Sequence, residues 1–325
     1  MSIAADADYG RALSELSSAD ESAFGGKSAA LGELLAAGVR VPPGFALSRE
    51  AFRLAHEQRA MPRVVREEIA LRYAALEQLT GLREPPVAVR SSAVGEDSAT
   101  ATFAGQQETL LWVRGVDPIC VAVQVCWDSL YSVEAVSYRK HMGAGQEEPA
   151  MGVAVQLMVD AAVSGVLFTC NPLSGDPSMV AINASWGLGS AVVGGEVTPD
   201  DYLISKVTRE VVRERLGAKT IEYVADASLP GVALRDVPAE RATARCLNEQ
   251  ALAALLDVAG AAERHFGCHQ DVEWAIARGG TPPENVFVVQ SRPVTTVAPP
   301  APATPVSAIS LVMARFGAGK PGTGA

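Results

Sequence analysis

Apolar positions recur at helical spacing in four stretches, with short dense apolar runs between them. The first 24 residues are polar and mixed, with room for one short helix. In GGKSAALGELLAAG (25–38), Leu31, Leu34 and Leu35 share one helical face, and Gly38 is placed to end the helix as its C′ residue. VPPGFALS (41–48) reads as an extended entry to a strand, with Ser48 placed to cap a second helix. Residues 49–80 carry a helical pattern rich in Glu, Arg and Ala, and PPVAVRSS (85–92) is a short apolar strand that ends abruptly in Arg and Ser. Near 117–142, Ile119, Val123, Cys126, Leu130 and Val133 step by four, three, four and three, which makes one apolar stripe.

The second half is richer in strands. MGVAVQLMV (151–159), SGVLFTCN (164–171) and MVAINASWG (179–187) are β-compatible runs separated by turn residues. A Gly-rich loop within 187–206 leads into a further strand, and 208–224 reads as a hairpin turning near Gly217. A helix over 245–266 precedes two last strands, 270–278 and 285–293, joined by GGTPPE. From Val297 the composition becomes that of a linker. There is no internal repeat. The order of elements predicts an α+β fold with two lobes over residues 1–296, followed by a Pro/Gly-rich tail over 297–325.

Composition narrows the function classes. Of 325 residues, 48% are hydrophobic and 20% charged, which excludes wholesale disorder. A net charge of −10 without a basic block argues against broad nucleic-acid or anionic-membrane binding, though not against a local basic pocket for a phosphate. No apolar run approaches the roughly 20 residues needed to span a bilayer. The N-terminus lacks a secretory pattern, so the expectation is a cytoplasmic protein. Five cysteines at scattered spacings, without a C-x-x-C, predict buried reduced thiols.

Common motifs fail one by one. A P-loop needs glycine where Glu21 precedes GGKS, and Pro321 stands where the C-terminal GAGK needs Ser or Thr. Val192 stands at the last glycine of a dinucleotide fingerprint in GLGSAV. His265 and His269 lie four apart, but Gly267 breaks the helix there and no third ligand is near.

A constellation survives this screen. In the strand QDVEWAIA, Asp271 and Glu273 share one face, opposite Val272, Trp274 and Ile276. In VFVVQSRP, Gln290 and Arg292 share a face. A turn centred near residues 281–282 sets Asp271 opposite Arg292 and Glu273 opposite Gln290. Acidic oxygens beside an amide carbonyl suit Mg²⁺, and a guanidinium clamps phosphate oxygens. The pattern fits a surface cross-strand ion pair equally well. Arg90, at the end of its strand, is either a ligand group or a solvated charge. Lys27, opening a helix after two glycines, either holds an anion or marks a plain helix start. The polar stretch 93–109 contains Gly95, Ser98, Thr100, Thr102, Gly105 and Thr109, which suit a loop closing over phosphates. Gln156 lies in an apolar strand and meets either an adenine edge or partners in the core.

Together, GGKSAALGEL, VPPGFALS, AVRSSAVGEDSATATFAGQQET, SYRKHMG, SGVLFTCNP, SWGLGSAVVGGEVTPDDYLISK, DVEWA and VVQSRPVTT closely resemble the nucleotide-binding domain of phosphoenolpyruvate synthase and pyruvate, phosphate dikinase. Rifampin phosphotransferases carry a similar domain. The resemblance spans about residues 20–296 in a fixed order of blocks. It implies an ATP-grasp fold, with ATP and Mg²⁺ between a small N-terminal lobe and a larger one. It further implies that Lys27 and Arg90 touch the phosphates, and that Gly105 and Thr109 belong to a closing phosphate loop. Gln156 would meet the adenine, Glu273 and Gln290 would hold Mg²⁺ with Asp271 in support, and Arg292 would clamp the transferring group. In the family, the β-phosphoryl group of ATP passes to a histidine on a swivelling domain and AMP is formed. The four histidines here, His56, His141, His265 and His269, all lie within the nucleotide domain, and no T-x-H-x-A carrier segment follows QSRP. The expectation is therefore a phosphotransferase subunit acting on a histidine of a separate partner, with the small-molecule acceptor handled elsewhere. The alternatives are a nucleotide-binding regulatory subunit without chemistry and a stand-alone small-molecule kinase.

Overall fold

The computed structural model describes residues 8–93, 109–133, 135–136, 150–226 and 231–294. It is α+β, with antiparallel sheets and helices packed against them. One five-stranded sheet runs in the order β1 (Gly10–Ala12), β2 (Gly44–Leu47), β5 (Met151–Leu157), β3 (Val87–Ala93) and β4 (Thr109–Val113). A six-stranded sheet runs β13 (Val286–Pro293), β12 (Gln270–Ala277), β6 (Ala161–Phe168), β7 (Met179–Trp186), β8 (Asp200–Ser205) and β9 (Val211–Arg215). Strands β10 (Ile221–Ala225) and β11 (Val232–Asp236) form a separate pair.

Each large sheet has its own core. Helices α2 (Arg49–Gln58), α3 (Arg63–Thr80) and α4 (Val116–Asp128) bury Phe52, Ile69 and Trp127 on Val89 and Val153 of the five-stranded sheet. Helices α1 (Gly26–Ala36) and α5 (Glu249–Phe266) bury Leu34, Leu255 and Ala259 on Ile182, Val272 and Trp274 of the other. Burial of these side chains from water stabilises each by about 1.5–3 kcal/mol.

Predicted caps form. At the end of α1, Val39 N–H donates to the Leu34 carbonyl (2.9 Å) and Gly38 N–H to that of Leu35 (3.0 Å). Gly38 has φ +76°, the left-handed conformation that this paired closure requires. The Ser48 side chain accepts from Ala51 N–H at the start of α2.

Three predicted elements differ. The pattern over 49–80 splits into α2 and α3, because Pro62 lacks an N–H and forces the residue before it out of the helical region. The stripe after 117 ends early. Helix α4 stops at Asp128 and passes into a tighter 3₁₀ turn, Ser129–Tyr131. That turn keeps Leu130 buried, but the extended Ser132 after it (ψ 154°) breaks the helical phase and turns Val133 outward, to 80% exposure, whereas Ile119, Val123 and Cys126 are fully buried. Residues 134 and 137–142 of that prediction lie outside the described residues.

Residues 208–224 are not a hairpin. Strand β9 pairs with β8, and β10 pairs with β11. The cause is the fully buried Asp200, which accepts from Gly217 N–H (2.9 Å) and is paired with the fully buried Lys219. This draws the 217–219 link inward, where only glycine at 217 clears the Thr198 carbonyl. The pattern also passed over β4 and the β10–β11 hairpin.

Cys120, Cys126 and Cys170 are buried as expected, and burial pushes the Cys120 and Cys170 thiols up. Cys246 is half-buried and Cys268 is exposed, so neither fits that expectation fully. Among the described residues, no helix is long and apolar enough to cross a membrane.

Candidate functional site

Side-chain alternation on β12 and β13 puts the predicted charged groups together. Asp271 pairs with Arg292 and Glu273 with Gln290 across the two strands. Val272, Trp274 and Ile276 fill the core on the opposite face. A bulge follows Glu273, so Trp274 pairs with Val288 and Val289 is left over.

Arg90 comes from the other sheet. It ends the apolar part of β3 and reaches across to β13. Its Nη1 donates to the Val289 carbonyl and to Gln290 Oε1, both at 3.3 Å. The same nitrogen lies 3.6 Å from Glu273 Oε2. Its Nε is buried and has no hydrogen-bond partner among the described residues, an orphan donor of the kind that a phosphate oxygen would satisfy. These contacts exclude the reading of Arg90 as a solvated strand end.

Lys27 is placed by close contact between α1 and β3. Gly25 has φ +85°, and a Cβ there would overlap the Ser92 carbonyl. Ser28 donates from its backbone N–H to Ser92 Oγ at 3.2 Å, and Lys27 Nζ donates to the Ser91 carbonyl at 3.1 Å. The side chain is thus buried along the strand that carries Arg90.

These groups line a cleft of about 510 Å³ between the two sheets. One end is polar, with Lys27, Arg90, Thr109, Glu273, Gln290 and Arg292. Thr109 is the register partner of Arg90. The other end is apolar, with Leu111, Leu157, Met158, Val159, Leu188 and Val193. Gln156 lies in the wall, 2% exposed, and its Nε2 donates to the Pro42 carbonyl at 3.4 Å. It thus has a partner within the protein and also lines the cleft.

Asp271 stands apart from the lining. It accepts from Arg292 Nε at 2.9 Å and orients that guanidinium. Gly105 lies outside the described residues. The apolar end and the hydroxyls of Ser164 and Ser190 were not singled out in the sequence, where they read as ordinary strand and loop residues.

The cleft suits a nucleotide in size and polarity. Paired oxygens of Glu273 and Gln290 suit a hard cation that also binds phosphate. His265 and His269 are engaged elsewhere, with Glu33 at 2.6 Å and Glu263 at 2.9 Å. Among the described residues no cluster of three or more His, Cys, Asp or Glu could hold a metal by itself.

Comparison with known proteins points to one family. The pyruvate phosphate dikinase AMP/ATP-binding domain family matches residues 55–308. A probable phosphoenolpyruvate synthase of Staphylothermus marinus is 36% identical over 86% of this chain and 40% of its own length. The phosphoenolpyruvate synthase of Aeropyrum pernix is 35% identical over 83% of this chain and 40% of its own. A probable phosphoenolpyruvate synthase of Methanothermobacter thermautotrophicus is 34% identical over 94% and 48%. The chain thus spans less than half the length of these relatives.

Proposed function

The chain belongs to the pyruvate phosphate dikinase AMP/ATP-binding domain family, and from that premise we propose that it is the Mg·ATP-using part of a phosphotransferase. In this reading, residues 1–296 form one ATP-grasp unit, with 297–325 as a tail. The β-phosphoryl group of ATP passes to a histidine on a separate partner domain or protein, the bond between it and AMP breaks so that AMP is formed, and the γ-phosphoryl group leaves to water as phosphate or to phosphate as pyrophosphate. The small-molecule acceptor is handled on that partner. The same reading puts the chain in the cytoplasm, where Mg·ATP is abundant.

The observation that carries the reading is Arg90. It spans the two sheets to the Glu273–Gln290 pair, with a buried Nε that has no partner among the described residues, in the cleft that Lys27 also lines. Lys27 and Arg90 would neutralise the phosphates, and Arg292, held by Asp271, would steady the group in transfer. Glu273 and Gln290 would hold Mg²⁺, which supplies charge neutralisation between the phosphates, with Asp271 in support. Gln156 would meet the adenine at the inner wall. Thr109 would contact the phosphates from the strand beside Arg90, and Gly105 would act with it as part of a closing phosphate loop.

The test uses the chain with Mg·ATP and a histidine-bearing domain from a relative. Radiolabel from the β position should appear on the domain, with AMP as the nucleotide product. ADP as the sole product would overturn β-phosphoryl transfer.

A further inference from the structure

Strand β4 contains a side chain that the chemistry above does not use. Val87 pairs with Val113 and Val89 with Leu110, which leaves Leu111 and Trp112 together opposite one residue of β3. The extra residue is accommodated at Trp112, whose φ is +61°. Bulky side chains rarely adopt this conformation, for which glycine or asparagine is suited. Such strain persists only where the surroundings over-determine it.

The surroundings are the apolar end of the cleft. Trp112 is 7% exposed and does not line the cleft. It belongs to a small cluster with Ala161, Leu188 and Ala275, against which Met158, Val159 and Val289 pack. Those six residues all line the cleft, so the indole stands directly behind its wall. They come from the six-stranded sheet, from the link between β5 and β6, and from the Gly-rich segment after β7. Tyr223, Ala225 and Val232 of the β10–β11 hairpin join the same cluster. The hairpin is tied to the wall by Leu188 N–H, which donates to the Tyr223 carbonyl at 2.8 Å.

We propose that Trp112 is a positioning residue for the nucleotide base: the bulge turns its indole behind the apolar wall and fixes the width of the slot. The inference rests on the nucleotide reading of the cleft and deepens it. Polar contacts to the phosphates come from the other end, so Trp112 acts on the base alone. Leu110 and Val113 pack against the helix-covered core of the five-stranded sheet, where regular alternation would also send Trp112, and the two-against-one bulge brings Trp112 instead to the cluster behind the cleft wall.

The experiment compares two probes by titration calorimetry on the whole chain. Mg·ATP engages both ends of the cleft, whereas Mg·tripolyphosphate engages only the polar end. For Trp112→Ala, the Kd for Mg·ATP should rise about ten-fold or more, with tripolyphosphate within about two-fold of wild type. Trp112→Gly relieves the backbone but also lacks the ring, so it should lose ATP affinity in the same selective way. Trp112→Leu keeps most of the apolar volume and serves if the smaller variants do not fold. It should lose ATP affinity by about three-fold with tripolyphosphate unchanged. Equal weakening of both probes, or unchanged ATP affinity in any folded variant, would overturn the proposal. If wild type binds neither probe, the nucleotide reading itself fails and takes this inference with it.

Discussion

Arg90→Met tests the joint between the two sheets. The guanidinium lies 3.6 Å from the Glu273 carboxylate. At an effective dielectric of about 20, that is a gross attraction of about 4–5 kcal/mol. The side chains are only 15% and 25% exposed, so desolvation cancels most of it. With the hydrogen bonds to Val289 and Gln290, the net loss of stability should be about 1–2 kcal/mol. Methionine keeps the length of the stem, so packing changes little. The loss in ligand binding should be larger, because a charge-assisted bond to phosphate contributes about 1.5–3 kcal/mol. The Kd for Mg·ATP should rise about ten- to hundred-fold. Calorimetric titration gives the Kd, and urea denaturation gives the stability. Arg90→Lys should fall between, since an ammonium lacks the fork that reaches Val289, Gln290 and phosphate together. A folded Arg90→Met chain that binds Mg·ATP within about three-fold of wild type would refute the assignment of Arg90 to the phosphates.

Other outcomes follow from the same geometry. Glu273→Ala should remove the metal-dependent part of ATP binding, so that its Kd in Mg²⁺ rises about ten-fold and chelation adds little further. Gly25→Ala should lower stability by about 2–4 kcal/mol by denaturant titration. It strains a positive φ and drives a methyl group into the Ser92 carbonyl, and it should weaken ATP binding by moving Lys27. Lys219→Met should cost about 3–5 kcal/mol, because the Asp200 carboxylate stays buried without its cation, and Asp200→Asn in the same chain should recover part of the loss. Ser18 N–H and then His265 hold the Glu33 carboxyl below its usual range, so its contribution is present above the ordinary carboxylate pKa and fades as pH falls through the depressed one. Glu33→Gln should therefore be less stable by about 1 kcal/mol at pH 7, and the gap should close in acid when melting is followed against pH.

What was legible in the sequence was local or periodic. The pairing of Asp271 with Arg292 and Glu273 with Gln290 follows from a period of two and the length of one turn, and it formed as read. The Gly38 and Ser48 caps need only neighbouring residues, and they formed too. The contacts of Arg90 with Val289 and Gln290 cross 199 and 200 residues of chain, and no period reports such a distance. Residues 208–224 failed for the same reason. A glycine between two β-compatible runs reads as a turn, unless Asp200 and Lys219 are known to meet in the interior. Trp112 reads as one more apolar strand residue, and only its backbone conformation sets it apart.

The cleft is held by ties that cross it, each made by a different physical means. Helix α1 buries Leu31 and Leu34 in the core of the six-stranded sheet, yet its first turn is bonded to β3 of the five-stranded sheet. Arg90 runs the other way, from β3 to β13, through hydrogen bonds and charge. Trp112 joins both sheets and the β10–β11 hairpin through apolar contact alone. The polar ties gather at the end with the carboxylate and the amide, and the apolar one stands at the opposite end. Salt should therefore loosen the phosphate end and leave the base end unchanged. If binding of Mg·tripolyphosphate falls with ionic strength, binding of adenosine should stay flat, and parallel salt slopes for both would contradict this division of the cleft.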